Sequence, residues 1–549
     1  MFITAGITEG EKYTVSDVQI SGDTILPKEA LEKLVLVKPG QTFSRQQLEY
    51  TSDAITSTLG NIGYAFAQVN PVPDIDRDKR TVGINLQVIP GPRVNVRRIV
   101  FKGNARTADE VLRRELRQFE GGWYSQAAID RSKIRLQRLG FFETVDVDKV
   151  PVAGSNDQVD VVFTVKETTS GSFVFGLGYS QLSGLTTSIQ VSQNNFMGTG
   201  NRVSVEAQRN DYLQQYAFSF LNPYFTDEGL SLGYNLSWRE FQNSNFNTAS
   251  FSSTNRSAQV SLGLPITEND TVSALFGVDS NQIFTFPGST PQSIIDYIDA
   301  LDARTFHAWR GQLAWARDTR NDYFTPTTGM FQRVSAEVTL PGSTVQYYKL
   351  NYQFSKYWPL TRALVLNTRL ELGYGDSYGK DSIRDVCYTA PTPPTSTNPN
   401  PAPPPPPSDP CVPGTSPDYL RTITASGLPF FENFYAGGTN SVRGFRDNTL
   451  GPHENTQALG GAVKTVGSLE MFFPTLIKSP SARVSAFVDF GNVYRNADDF
   501  NIDTMRYSAG IAMLWRAPVG PITISYAIPI SKQPGDETES LQFSFGGQF

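Results

Sequence analysis

From Ser172 to the end of the chain, apolar and polar residues alternate with a period of two, in segments separated by turn-forming residues. Phe173, Phe175, Leu177 and Tyr179 share one parity, as do Val203, Val205 and Ala207, and then Tyr216, Phe218 and Phe220. Period two sends successive side chains to opposite faces, so each segment predicts a strand with one apolar face. Sixteen such segments start near residues 172, 185, 201, 212, 229, 255, 270, 306, 331, 346, 363, 458, 481, 504, 521 and 538. Their connectors alternate in kind. One set is compact and often holds proline, at 196–201, 223–229, 265–270, 359–362, 474–481 and 517–521. The other set is longer, at 242–255, 283–306 and, longest, 376–459. Short turns on one rim and long loops on the other predict an all-β, sixteen-stranded antiparallel transmembrane β-barrel of the outer-membrane kind. A soluble β-sandwich would also alternate, but with its apolar face inward and without sorting its loops by rim. An even strand count puts both ends of the barrel on the short-turn rim, which faces the periplasm.

Residues 1–167 have another rhythm, a repeat of about eighty residues. Gly22, Gly40 and Phe43 match Gly103, Gly121 and Tyr124 at an offset of 81, and Val18, Ile20 and Leu31 match Ile99, Phe101 and Leu112. Further on the offset is 77: Gly63-Tyr64 matches Gly140-Phe141, and Val82, Ile84, Leu86 and Val88 match Val159, Val161, Phe163 and Val165. Each unit reads strand, helix, helix, strand, strand. Tyr13-x-Val15 and Val18-x-Ile20 alternate as half-buried strand does. Ile55, Leu59 and Ile62 have helical spacing, and Ser44-x-x-Gln47 and Thr107-x-x-Glu110 read as capping boxes. Run backwards, the offset of 81 pairs Ile3, Ile7 and Gly10 with Ile84, Val88 and Gly91, so residues 1–10 read as the end of a preceding repeat.

Charge follows the same boundary, near Thr168. Residues 1–167 hold 22 basic and 22 acidic side chains, whereas residues 168–549 hold 25 and 31, so the barrel half carries the whole net charge of −6. That balance excludes nucleic acid as a partner. No apolar run approaches the roughly 18 residues of a membrane-crossing helix. The two histidines, His307 and His453, and two cysteines, Cys387 and Cys411, are too few for a structural zinc site or a thiol enzyme. No metal or cofactor is expected. Asp489-Phe490-Gly491 copies a kinase tripeptide, but no glycine-rich loop or partner lysine accompanies it.

Strand parity singles out two carboxylates. In 466–473, Leu469, Met471 and Phe473 are apolar, which turns Glu470 into the lumen. In 483–494, Val484, Ala486, Val488 and Phe490 form the lipid face, which turns Asp489 inward. The long loop offers Val442-Arg443-Gly444-Phe445, and a lumenal Arg443 would satisfy both carboxylates.

At this point the chain resembles the BamA family, the central proteins of the outer-membrane β-barrel assembly machinery, over essentially its whole length. The resemblance rests on Leu112-Arg113-Arg114-Glu115, Leu139-Gly140-Phe141-Phe142-Glu143-Thr144-Val145-Asp146, Asp157-Gln158-Val159-Asp160-Val161-Val162, Gly171-Ser172-Phe173, Asn222-Pro223-Tyr224-Phe225, Glu432-Asn433-Phe434-Tyr435-Ala436-Gly437-Gly438 and Val442-Arg443-Gly444-Phe445. It implies α+β POTRA repeats at 11–90 and 91–168, the end of a preceding one at 1–10, and a barrel at 169–549 with a long extracellular loop at 376–459. It implies that Arg443 anchors this loop as a lid against Glu470 and Asp489. It implies a weak lateral seam where the first strand (Phe173, Phe175, Leu177) meets the last (Phe543, Phe545, Gly546, Gly547, Phe549). Gly546-Gly547 weakens pairing there, and the alternation ending at Phe549 resembles the signal strand of barrel substrates.

The function implied is that of a non-enzymatic insertase in the outer membrane of a Gram-negative bacterium, with its POTRA repeats in the periplasm. Its partners would be unfolded outer-membrane β-barrel proteins, accessory assembly lipoproteins, periplasmic chaperones and outer-membrane lipid. With no nucleotide motif, the driving force is the substrate's own folding. The alternatives are a two-partner secretion transporter, which a third repeat argues against, and a passive pore, which would lack POTRA repeats and a plugged lumen. The departure from the family is a proline-rich insertion, 13 prolines from Pro391 to Pro417, with Cys387 before it and Cys411 near its end, which an oxidising compartment would join as a disulfide.

Overall fold

The computed structural model describes residues 11–322, 326–361, 363–387, 420–474, 481–517 and 520–545. The expected strand at 1–10, the terminal Gly546, Gly547 and Phe549, and the Cys387–Cys411 pairing lie outside the described residues. The chain divides into two compact units, Met1–Ser170 with Asn194–Asn201, and Gly171–Gln193 with Arg202–Phe549.

The first unit contains two repeats of the expected element order. In the first repeat, Thr14–Gly22 runs parallel to Thr81–Ile89, which pairs antiparallel with Gln68–Asp76. In the second, Asn95–Lys102 and Phe142–Pro151 flank Gln158–Glu167 in the same way. Each central strand alternates, and its apolar set is buried: Val82, Ile84, Leu86 and Val88 in one, Val159, Val161, Phe163 and Val165 in the other. Helices Arg45–Asn61 and Gln126–Arg138 close each core with Ile55 and Leu59, and with Ile129 and Leu136. The parity change between Val15 and Val18 is a bulge, repeated between Val96 and Arg98. An extra residue there resets which side chains face the helix layer.

One capping expectation needs correction. Ser44 caps its helix, accepting from the Gln47 amide at 3.4 Å, and Ser125 does the same for Ala128. Thr107 does not: the cap position is Ala108, with no side-chain bond. The Thr107 amide donates instead to Glu167 Oε1 at 2.7 Å, and the same carboxylate takes the Arg106 amide. A distant acceptor at the end of the central strand thus holds the two residues that precede the helix.

The second unit is a closed antiparallel barrel of sixteen strands, from Gly171–Ser180 to Leu541–Phe545. Phe173, Phe175 and Leu177 are 68%, 59% and 50% exposed, which is the lipid-facing parity of the first strand. All but one of the strands start within four residues of the expected position. The twelfth starts at Val463 rather than near 458, because His453–Glu454 and Gln457–Ala458 form a small hairpin within the loop. The last starts at Leu541 rather than near 538, because Thr538–Glu539 leaves the wall and pairs with Gly444–Phe445. At the loop end of the barrel, helix Gln292–Leu301 and the hairpin Ser382–Cys387/Leu420–Ala425 share an apolar cluster with Phe251, Ile283 and Phe306.

Gly22 and Gly103 show why the repeat keeps glycine at that position. Their φ angles are +89° and +88°, and an added Cβ would stand 2.2 Å from the Val88 carbonyl oxygen and 2.0 Å from that of Val165. Gly103→Ala is expected to cost about 1–3 kcal/mol, read as faster hydrogen exchange along Gln158–Glu167 with the barrel strands unchanged. Unaltered exchange there would refute the steric account.

Candidate functional site

The lumenal wall is built by register. In the strands Val463–Phe472 and Ala482–Tyr494, Ser468 faces Asp489 and Glu470 faces Phe487, so the two acids sit diagonally on the inward face. Ser468 and Ser485 stand beside them. Ser468 Oγ donates to Asp489 Oδ1 at 2.6 Å, and Ser485 Oγ to Glu470 Oε1 at 2.5 Å. Asp489 is wholly buried, and a buried carboxylate without a cation would carry a large desolvation cost.

Arg443 meets that requirement. Its Nε donates to Asp489 Oδ2 at 2.7 Å and its Nη2 to Asp489 Oδ1 at 2.8 Å, a two-pronged bond. Its backbone amide also donates to Asp489 Oδ2, at 3.1 Å, and Nη1 reaches Glu470 Oε1 at 3.2 Å. The guanidinium lies 3.3 Å from the ring centre of Phe487, which adds a cation–π contact. The structure thus brings the loop arginine together with both carboxylates singled out by strand parity.

The rest of the motif fits around this bond. Val442 and Phe445 are fully buried with Ala436, Leu450, Val466 and Val493, an apolar plug between loop and wall. Gly444 has φ +89°, and a Cβ on it would press the Ala527 Cβ of the fifteenth strand at 3.1 Å. Glycine is what lets the loop backbone lie directly on the barrel wall.

A second anchor was missed by sequence reasoning. Glu432, from the same loop, bonds Arg310 at 3.0 Å and Lys349 at 3.0 Å. Arg310 also lies 3.1 Å from Asp279 and 3.0 Å from Glu337, all on inward faces of neighbouring strands. The available signal was a run of inward-facing charges of both signs, Asp279, Arg310, Glu337 and Lys349, on four successive strands. The loop is therefore held to two separate arcs of the wall, Asp270–Thr285 to Tyr347–Thr361 by Glu432 and Val463–Tyr494 by Arg443.

At the junction of first and last strands, two register pairs are present among the described residues, Ser180 with Ser544 and Tyr179 with Phe545. The last strand meets the fifteenth over five pairs, and the first meets the second over ten. The sequence reading also missed Gln181. Its amide Nε2 donates to the Leu541 carbonyl at 3.1 Å and its Oε1 accepts from the Phe543 amide at 3.0 Å. One side chain thus mimics a strand partner where the backbone ladder is short. Tyr179 stacks on Phe543 with ring centres 5.8 Å apart.

A sixteen-stranded barrel with a lid tied to its inner wall, preceded by strand–helix–helix–strand–strand repeats, defines a class. The chain belongs to the Omp85 superfamily, whose domain model matches residues 195–549, and the POTRA model, described as a surface antigen variable number repeat, matches residues 13–91 and 94–168. Its specific likeness is to BamA. It is 32% identical over 585 aligned positions to the outer membrane protein assembly factor BamA of Neisseria meningitidis serogroup B, covering 99% of this chain and 68% of that protein. It is 25% identical to the protein of the same name from Nitratidesulfovibrio vulgaris, covering 100% of this chain and 64% of that one. The crystal structure of BamA from Haemophilus ducreyi lacking POTRA domains 1–3 matches 97% of this chain and 100% of its own, with a TM-score of 0.77 at 30% identity.

The unequal bonding of the two acids sets a rank order. Asp489→Asn should lower barrel stability more than Glu470→Gln, because Asp489 takes three bonds from Arg443 and Glu470 takes one. Arg443→Ala, which leaves Asp489 buried and unpaired, should cost about 3–5 kcal/mol, and Arg443→Lys should recover part of this but not the two-pronged geometry. The midpoint of heat-induced loss of compact gel migration checks the order. Equal midpoints for all four variants would refute it.

Proposed function

We propose that this chain is the insertase that folds β-barrel proteins into the outer membrane of a Gram-negative bacterium, acting by lateral opening of the seam between its first and last strands. The barrel resides in the outer membrane and the POTRA repeats in the periplasm. The family relation supports assembly of outer-membrane proteins. The observation that carries the route is the seam itself: among the described residues, two register pairs and one glutamine hold a junction whose neighbours carry five and ten pairs. A strand edge with free amides and carbonyls templates another strand by main-chain bonding. An incoming substrate strand would pair with the exposed edge of Gly171–Ser180, then bury its apolar face in lipid as it folds.

The chemistry asked of the protein is non-covalent, so the reading is of a non-enzymatic template. The energy comes from hydrophobic burial and backbone pairing of the substrate. The strands Gln68–Asp76 and Phe142–Pro151 lie at sheet edges and would receive extended segments delivered by periplasmic chaperones, with accessory lipoproteins docked on the same repeats. A lid bonded to two arcs of the wall argues against a passive pore.

The seam offers a direct test. Ser180→Cys with Ser544→Cys places thiols at positions in register. Oxidation should stop assembly of a barrel substrate in proteoliposomes and reductant should restore it. Full assembly by a barrel shown to be cross-linked would rule out lateral opening.

A further inference from the structure

The loop motif and the terminal strand are joined by a set of direct contacts. Gln542 projects inward from the last strand and is completely buried. Its Nε2 donates to the Phe445 carbonyl at 2.7 Å, and its Oε1 faces the Gly444 amide at 3.5 Å. Just before it, Thr538–Glu539 pairs with Phe445 and Gly444 as a two-residue antiparallel ladder. The Arg446 amide then donates to the Glu537 carbonyl at 2.9 Å, and Arg446 Nη1 lies 2.6 Å from Glu537 Oε2. Arg443, one residue before this ladder, is fixed to the wall by Asp489. The motif therefore grips two things at once, the strands Val463–Tyr494 through its arginine and the terminal strand through its backbone.

We propose that Gln542 is a positioning residue that couples the Arg443 loop to the last strand, so that the lid sets where the free edge of that strand lies. This rests on the assembly reading above for its biological meaning, but not for its geometry. The coupling sits on the last strand's lumenal side, whereas Gln181 and the two register pairs hold its outer edge. When the edge bonds open, the last strand stays tethered to the lid and to its fifteenth-strand partner. Displacing the lid pulls on the strand, and freeing the strand loosens the lid. The chemistry requires an amide here. Phe445 presents an acceptor and Gly444 a donor, so a carboxylate of the same shape would set an oxygen against the Phe445 carbonyl and lose the stronger of the two bonds.

The test reads exchange of backbone amides in the full chain in lipid nanodiscs. Gln542→Glu and Gln542→Leu should each raise exchange at 444–446 and at 541–545 together, by roughly tenfold, the scale of one buried hydrogen bond lost. Exchange at 430–432, held by Arg310 and Lys349, should not change. The converse variant, Arg443→Lys, leaves Gln542 in place and should raise exchange at 541–545 as well. Should the Gln542 variants fail to fold, Arg443→Lys decides alone. A rise confined to the last strand in the Gln542 variants, or confined to the loop in Arg443→Lys, would overturn the coupling. Substrate assembly is measured on the unaltered chain in parallel. Failure there would sink the assembly reading while leaving the exchange result to judge the clamp.

Discussion

A carboxylate with no access to water must be matched, and Asp489 is the point on which this barrel's interior is organised. It accepts from the backbone and both prongs of Arg443 and from Ser468. Because desolvation makes an unpaired charge costly, the loop carrying Arg443 has one low-energy place to be. Everything nearby is shaped to let it arrive. Gly444 allows backbone-to-wall contact, Phe445 and Val442 fill the gap that remains, and Phe487 offers the guanidinium a ring face.

One ion pair would pin the loop at a point but leave it free to swing. Glu432 supplies the second point, on a different arc of the wall, with Arg310 and Lys349 as its cations. Two anchors separated along a chain fix direction as well as position. The aromatic contacts of Phe430 and Phe431 with Phe251, Tyr297 and Phe306 extend this hold to two strand ends and to the helix Gln292–Leu301. The Glu432 and Arg443 segments of the loop are thus positioned against the inner wall by charge and by apolar packing.

The wall is treated in the opposite way at one place. Most junctions use long backbone ladders, which are strong because each bond excludes water from the next. Among the described residues, the seam uses two register pairs, an aromatic stack and the amide of Gln181.

The sequence by itself determined the strand count, the rim that carries long loops, the repeat period and the inward parity of Glu470 and Asp489. These follow from periodicities of two and of about eighty, which local backbone geometry imposes whatever the rest of the chain does. The joining of Arg443 to Asp489 was also legible, because two inward-facing carboxylates need a cation and the loop motif offers one. Glu432, Gln181 and Gln542 were not legible in this way. Each acts through a partner more than 80 residues away, and a glutamine on a strand or an acid in a loop is ordinary in sequence. The shift of Thr538–Glu539 out of the wall and the failure of Thr107 to cap its helix have the same origin. In both, a local pattern that satisfied its own rules was overruled by a distant backbone group or carboxylate. Only closure of the barrel, which brings residues 181, 444 and 542 together, decides which polar groups meet.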